Sequence, residues 1–157
     1  MKNALLTATK EYTWDMAHML CGHKGLCKNL HGHTYKLLVT VARRHSDVNE
    51  ELKNPEEGMV IDFKALKEIV HDIIVDPLDH CTMINSNTTS SFENELWRLL
   101  NAHEKKIVVV PYRPTAENMV KDFAERLQYQ FDSKLPEIAL MSVRLYETPT
   151  SYAEYTL

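Results

Sequence analysis

At 157 residues the chain has the length of a single domain. A domain of about this size buries roughly two-thirds of the surface its unfolded chain exposes, so a core needs no disulfide staples. An apolar fraction of 44 % and a charged fraction of 25 % argue against disorder, and a net charge of −4 with no basic run longer than Arg43-Arg44 or Lys105-Lys106 argues against nucleic-acid binding. No stretch approaches the roughly 20 apolar residues of a membrane span, and three cysteines behind an N-terminus without a leader-like apolar run predict a reducing, cytoplasmic setting.

In chain order, residues 4–14 predict a strand, rich in threonine and aromatics, and residues 34–43 a better one, β-branched and apolar. The polar stretch 46–58, with Asn-Pro inside it, predicts a loop. Residues 62–75 predict a helix: Phe63, Leu66, Ile69, Val70, Ile73 and Ile74 recur on one face, Asp62 suits the N-cap, and Pro77 lies beyond the end. A second helix is expected over 90–103, where Ser90 and Glu93 have capping-box spacing. A short strand follows at 107–110. A third helix runs over about 116–131 behind Thr115 as N-cap, with Met119, Val120, Phe123, Leu127 and Phe131 inward. Two strands, 139–147 and 151–157, close the chain around a turn at Pro149. Neighbouring strands on either side of a helical block predict one α+β domain over 1–157 with an antiparallel sheet of about four strands, whose open edges invite assembly.

The chemistry concentrates between residues 18 and 33, which hold four of the eight histidines and three of the four glycines. His31-Gly32-His33 opens the second strand, so both imidazoles project to one face. His18 ends the first strand, and a hairpin-like return brings it alongside. Three neutral imidazoles without a carboxylate favour zinc, and three protein ligands rather than four leave a position for substrate, the pattern of a catalytic site. Two alternatives stay open: His23 as a competing ligand, and Cys21 with Cys27 closing a structural Cys/His zinc site in a non-enzymatic, zinc-stabilised binding module. His45, His71 and His103 read as surface or satisfied histidines.

Cys27 precedes His31 by four residues, and a thiol beside a dication and a histidine is a candidate nucleophile or base. Asp79-His80 offers an imidazole oriented by a carboxylate, although such a pair is commonly only solvated surface. Glu147 ends a strand beside Thr148. Glu117 lies in the first turn of a helix, where the dipole alone accounts for it. Cys81, next to His80, reads as buried filler.

Five motifs in order resemble the 6-pyruvoyl-tetrahydropterin synthase family over nearly the whole chain: Tyr12-Thr-Trp-Asp-Met-Ala-His18, Cys27-Lys-Asn-Leu-His31-Gly-His33, Leu78-Asp79-His80, Pro114-Thr115-Ala-Glu117-Asn118 and Tyr146-Glu147-Thr148. The compact Cys-x-x-x-His-Gly-His loop is similar to the bacterial 6-carboxy-5,6,7,8-tetrahydropterin synthase branch of the queuosine pathway. The resemblance implies a tunnelling fold, a four-stranded antiparallel sheet with helices on one face, assembled as a homohexamer from two trimers. It implies a zinc-dependent carbon–carbon lyase acting on 7,8-dihydroneopterin triphosphate, with 6-pyruvoyl-tetrahydropterin synthase as the alternative outcome. By residue it implies Zn2+ on His18, His31 and His33, Cys27 as proton acceptor assisted by Asp79 and His80, Glu147 anchoring the pterin ring, and Thr115 and Glu117 shaping its pocket. The chain departs from compact members of the family in extra residues at about 84–106, which predict a helical insertion.

Overall fold

The computed structural model describes residues 5–44 and 58–157. The loop expected at 46–58 lies outside these residues except for Gly58, as does His45. Strand β1 (Thr7–His18) is antiparallel to β2 (His31–Arg43), in one unbroken register from Thr7 opposite Ala42 to His18 opposite His31. β2 pairs with β5 (Ile138–Thr148), and β5 with β6 (Ser151–Thr156), both antiparallel. The strand period of two sets the faces. Tyr12, Trp14, Met16 and His18 of β1 point inward, whereas Glu11, Thr13 and Asp15 point out.

Helix α1 (Phe63–Val70) begins at Asp62, whose carboxylate accepts from Lys64 N at 2.9 Å. It passes through a π-helical turn, His71–Val75, into a last helical turn at Asp76–Leu78. The helical path thus runs through Pro77 instead of stopping before it. Pro77 sits at the start of that last turn, just after the π-helical residues. After β3 (Thr82–Asn85) come α2 (Ser91–Ala102), β4 (Ile107–Val110) and α3 (Ala116–Lys134). Ser90 and Thr115 cap their helices through Glu93 N and Asn118 N, both at 3.3 Å.

Leu66 and Val70 of α1, and Met119, Val120, Phe123, Leu127 and Phe131 of α3, cover the inner sheet face against Trp14, Tyr35, Leu37, Val39, Val143 and Leu145. Each such side chain, fully buried, contributes about 1.5–3 kcal/mol. Trp14 lies parallel to Tyr35 at 5.9 Å and edge-on to Phe123 at 6.2 Å. Among the described residues no helix is long and apolar enough to cross a membrane.

The expected four-stranded antiparallel sheet is corrected. The sheet has six strands in the order β4-β3-β1-β2-β5-β6 and is mixed. The difference lies in the segment 82–110, a β-α-β crossover whose two strands run parallel to each other and to β1. Its entry strand is only four residues long and follows directly on Asp79-His80-Cys81, so no alternating run announces it. The helical insertion expected at about 84–106 is therefore α2 of this crossover, flanked by one strand on each side.

Candidate metal centre

The β1–β2 register sets His18 directly opposite His31, and the two-residue step from His31 brings His33 to the same inner face. Ring centroids of His18 and His31 lie 4.6 Å apart, His31 and His33 4.9 Å, and His18 and His33 5.3 Å. One ligand nitrogen from each lies within 4.8 Å of the others. Neither Cys21 nor Cys27 belongs to this group, and His23 is turned to its own loop, where Nδ1 accepts from Gly25 N at 2.8 Å.

Two backbone carbonyls fix the tautomers. His18 Nδ1 donates to Pro114 O at 2.8 Å and His31 Nδ1 to Asn29 O at 2.8 Å. A carbonyl only accepts, so each Nδ1 carries the proton and each Nε2 keeps its lone pair. His33 Nε2 is buried without a hydrogen-bond partner. Burial pushes the His18 imidazole down to about 4, against the opposing pull of the Pro114 carbonyl, and the neighbouring imidazoles add to the fall. Burial likewise lowers His33, while Glu147 acts the other way. Three neutral imidazoles with lone pairs converging and one orphaned nitrogen fit a divalent cation that prefers nitrogen donors.

Glu147, at the end of β5, reaches this cluster: its Oε1 lies 3.4 Å from His18 Nε2 and 3.8 Å from His33 Nε2. Beneath them the fully buried Tyr35 hydroxyl lies 3.2 Å from His18 Nε2. Cys27 sits half-buried in a short 3-10 turn, Leu26–Lys28, which returns to β1 through Leu20 N donating to Cys27 O at 2.8 Å. Thr115 follows Pro114 and spends its hydroxyl on the α3 cap, and Glu117 is exposed one residue into that helix.

Asp79 and His80 form a pair, Oδ1 to Nδ1 at 2.9 Å. Desolvation alone would raise the Asp79 carboxyl, but the Asp15 N–H, His80 and Lys106 together hold it below the usual range. His80 adopts φ 61°, a left-handed conformation costing about 1–2 kcal/mol for a non-glycine residue. Its N–H donates to Asp15 O at 2.7 Å. His80 borders a groove of about 420 Å³ shared with Asp15, Gly32, His33 and Thr34. Among the described residues no hydrogen bond or ion pair joins the Asp79–His80 pair to the three histidines or to Cys27. Sequence patterns flagged every residue of the triad but neither Tyr35 nor the Pro114 and Asn29 carbonyls, because a backbone acceptor carries no residue signature.

The chain matches the 6-pyruvoyl tetrahydropterin synthase family profile over residues 7–157. It is 40 % identical over 147 residues to the 6-carboxy-5,6,7,8-tetrahydropterin synthase of Haemophilus influenzae, covering 94 % of this chain and 96 % of that one. It is 32 % identical to a putative enzyme of the same name from Pyrococcus horikoshii, covering 94 % and 87 %. In fold it resembles an uncharacterized protein of Wolinella succinogenes, TM-score 0.72 at 21 % identity over 98 % and 99 % of the chains. The 6-pyruvoyl tetrahydropterin synthase of Caenorhabditis elegans follows at TM-score 0.63 and 22 % identity, over 98 % and 96 %.

Proposed function

Because the chain belongs to the 6-pyruvoyl tetrahydropterin synthase family, we propose that it is a zinc-dependent 6-carboxy-5,6,7,8-tetrahydropterin synthase of 7-deazaguanine (queuosine) biosynthesis. It converts 7,8-dihydroneopterin triphosphate to 6-carboxytetrahydropterin, acetaldehyde and triphosphate. The observation that carries this reading is the 40 % identity, over nearly both whole chains, to a relative of that name. The neutral His18, His31, His33 cluster supports it, because the donor set suits zinc and leaves a coordination position for substrate.

When bound, zinc supplies Lewis-acid polarisation of the substrate's side-chain hydroxyls. The residues do the rest. Glu147 accepts the paired N–H groups on the guanidine-like edge of the pterin ring, a bidentate arrangement that fixes its orientation. The same carboxylate also lies against His18 and His33. Cys27 takes the proton from the side-chain carbon next to the ring. Thr115 and Glu117, at the start of α3, shape the ring pocket.

Asp79 and His80 assist Cys27 as a proton relay, with Asp79 holding the imidazole tautomer. Among the described residues no hydrogen bond or ion pair joins the pair to Cys27 of its own chain, so it serves Cys27 by reaching the site of a neighbouring copy. A homo-oligomer follows, proposed as a hexamer of two trimers. Incubation with 7,8-dihydroneopterin triphosphate, with product mass, acetaldehyde release and bound metal measured together, tests the reading. A pyruvoyl product without acetaldehyde would move the chain to the pyruvoyl-forming branch, and no turnover of metal-loaded protein would end the enzymatic reading.

A further inference from the structure

The β-α-β crossover and the loop after β1 meet around a cavity of about 370 Å³ lined by Met19, Cys21, Ser90, Glu93, Arg113 and Pro114. Glu93 is 1 % exposed although it is a carboxylate on a surface helix. Its capping-box spacing with Ser90 predicts a return to the Ser90 N–H, but Oε1 instead accepts from Asn85 N at 3.1 Å. The carboxylate has a second oxygen, and Cys21, Ser90 and Glu93 line the same cavity, so the thiol faces the carboxylate. Burial raises the Cys21 thiol, and the Glu93 contact adds to the rise against the Ser90 contact.

Arg113 grips the same loop: its Nη2 donates to Leu20 O at 3.1 Å. Leu20 N in turn donates to Cys27 O at 2.8 Å. Arg113 is itself held by Asn118 Nδ2 on its carbonyl at 2.9 Å, and the next residue, Pro114, takes the His18 proton. Residues 19–27 thus hang between the metal ligand His18 and Cys27, with contacts from the crossover side at Cys21 and from the α3 side at Leu20.

We propose that Glu93 is a positioning residue: through Cys21 it seats the 19–27 loop and so sets the place of the Cys27 thiol. The crossover is then a brace for the reacting thiol and not only two added strands. The inference rests on the reading of Cys27 as proton acceptor, but its first test does not use the pterin reaction. Glu93→Gln keeps an acceptor oxygen for Asn85 N–H and turns the other oxygen into an N–H donor that cannot accept from the thiol. Cys21→Ala removes the thiol and leaves Glu93 and the α2 cap in place.

Alkylation of Cys27 by iodoacetamide, followed by peptide mass spectrometry, reads the thiol's placement directly. Both variants are expected to change its rate by several-fold while melting temperature and metal content stay at the wild-type level. In turnover, both are expected to lower kcat by roughly tenfold with little change in KM, the mark of a misplaced group and not of lost binding. An unchanged Cys27 alkylation rate in both variants overturns the proposal, as does a Glu93→Gln effect confined to melting temperature, which makes Glu93 a structural anchor for Asn85 only. Altered alkylation in a wild-type background that yields no acetaldehyde keeps the brace and sinks the proposed reaction instead.

Discussion

His18 donates from Nδ1 to the carbonyl of Pro114, 2.8 Å away and 96 residues later in the chain. The bond ties the end of β1 to the start of α3 and leaves Nε2 facing the other two imidazoles. His18 is wholly buried, so a second proton there is disfavoured and Nε2 keeps its lone pair. His18→Ala is therefore expected to lose stoichiometric zinc after dialysis at neutral pH, read by elemental analysis, while the chain stays folded. Full retention of zinc would show that the triad is not the binding site.

Gly32 lies between the two histidines of β2. A Cβ there would stand 3.2 Å from the Met16 carbonyl oxygen on β1, backbone that cannot swing aside. Gly32→Ala is expected to push the two strands apart by a few tenths of an ångström just where His18 faces His31. Zinc affinity, measured by competition with a chelator, should then drop by about tenfold, the scale on which supports of metal ligands act. Wild-type affinity would mean that the β1–β2 spacing is not what sets the site.

Much of this was readable in the residues. Asp62, Ser90 and Thr115 each announced a helix start because a cap is a local hydrogen bond between near neighbours. His18, His31 and His33 were legible because a strand's period of two is fixed by geometry. What escaped were non-local facts. The strand expected at 107–110 is β4, but β3 and the parallel pairing of the two depend on a crossover closing across 82–110, and the four residues of β3 carry little pattern. The π-helical turn and the passage through Pro77 have no local residue signature. Glu93 has the spacing of a capping-box partner for Ser90, yet its carboxylate turns to Asn85, which only the folded chain brings near.

Cys27 and Glu147 serve different steps in the proposed reaction and should fail differently. Cys27→Ala is expected to keep zinc and bind the substrate but lose turnover. Glu147→Gln removes one acceptor from a charge-assisted pair worth about 1.5–3 kcal/mol, so kcat/KM should fall by roughly tenfold to a hundredfold. Steady-state kinetics with metal analysis separate the two, and full activity in Cys27→Ala would remove that residue from the mechanism.

Arg44, just past β2, pairs with Asp132 in the last turns of α3 and also reaches Ile138 O at 3.1 Å, tying three elements at one corner. Gln128 and Arg44 together hold the Asp132 carboxyl below its usual range against a smaller opposing effect of burial. A carboxyl whose value is depressed in the folded chain stabilises it above the unfolded value, near 3.8, and that stabilisation fades as pH falls through the lower folded value. The corner is half-exposed, so solvent screens it and the effect is modest. Asp132→Asn is expected to melt slightly below the wild type at pH 7 and to converge with it as the pH is lowered past the ordinary carboxylate range. A gap between the two melting curves that persists undiminished into acid would show that the loss came from packing and not from the charge.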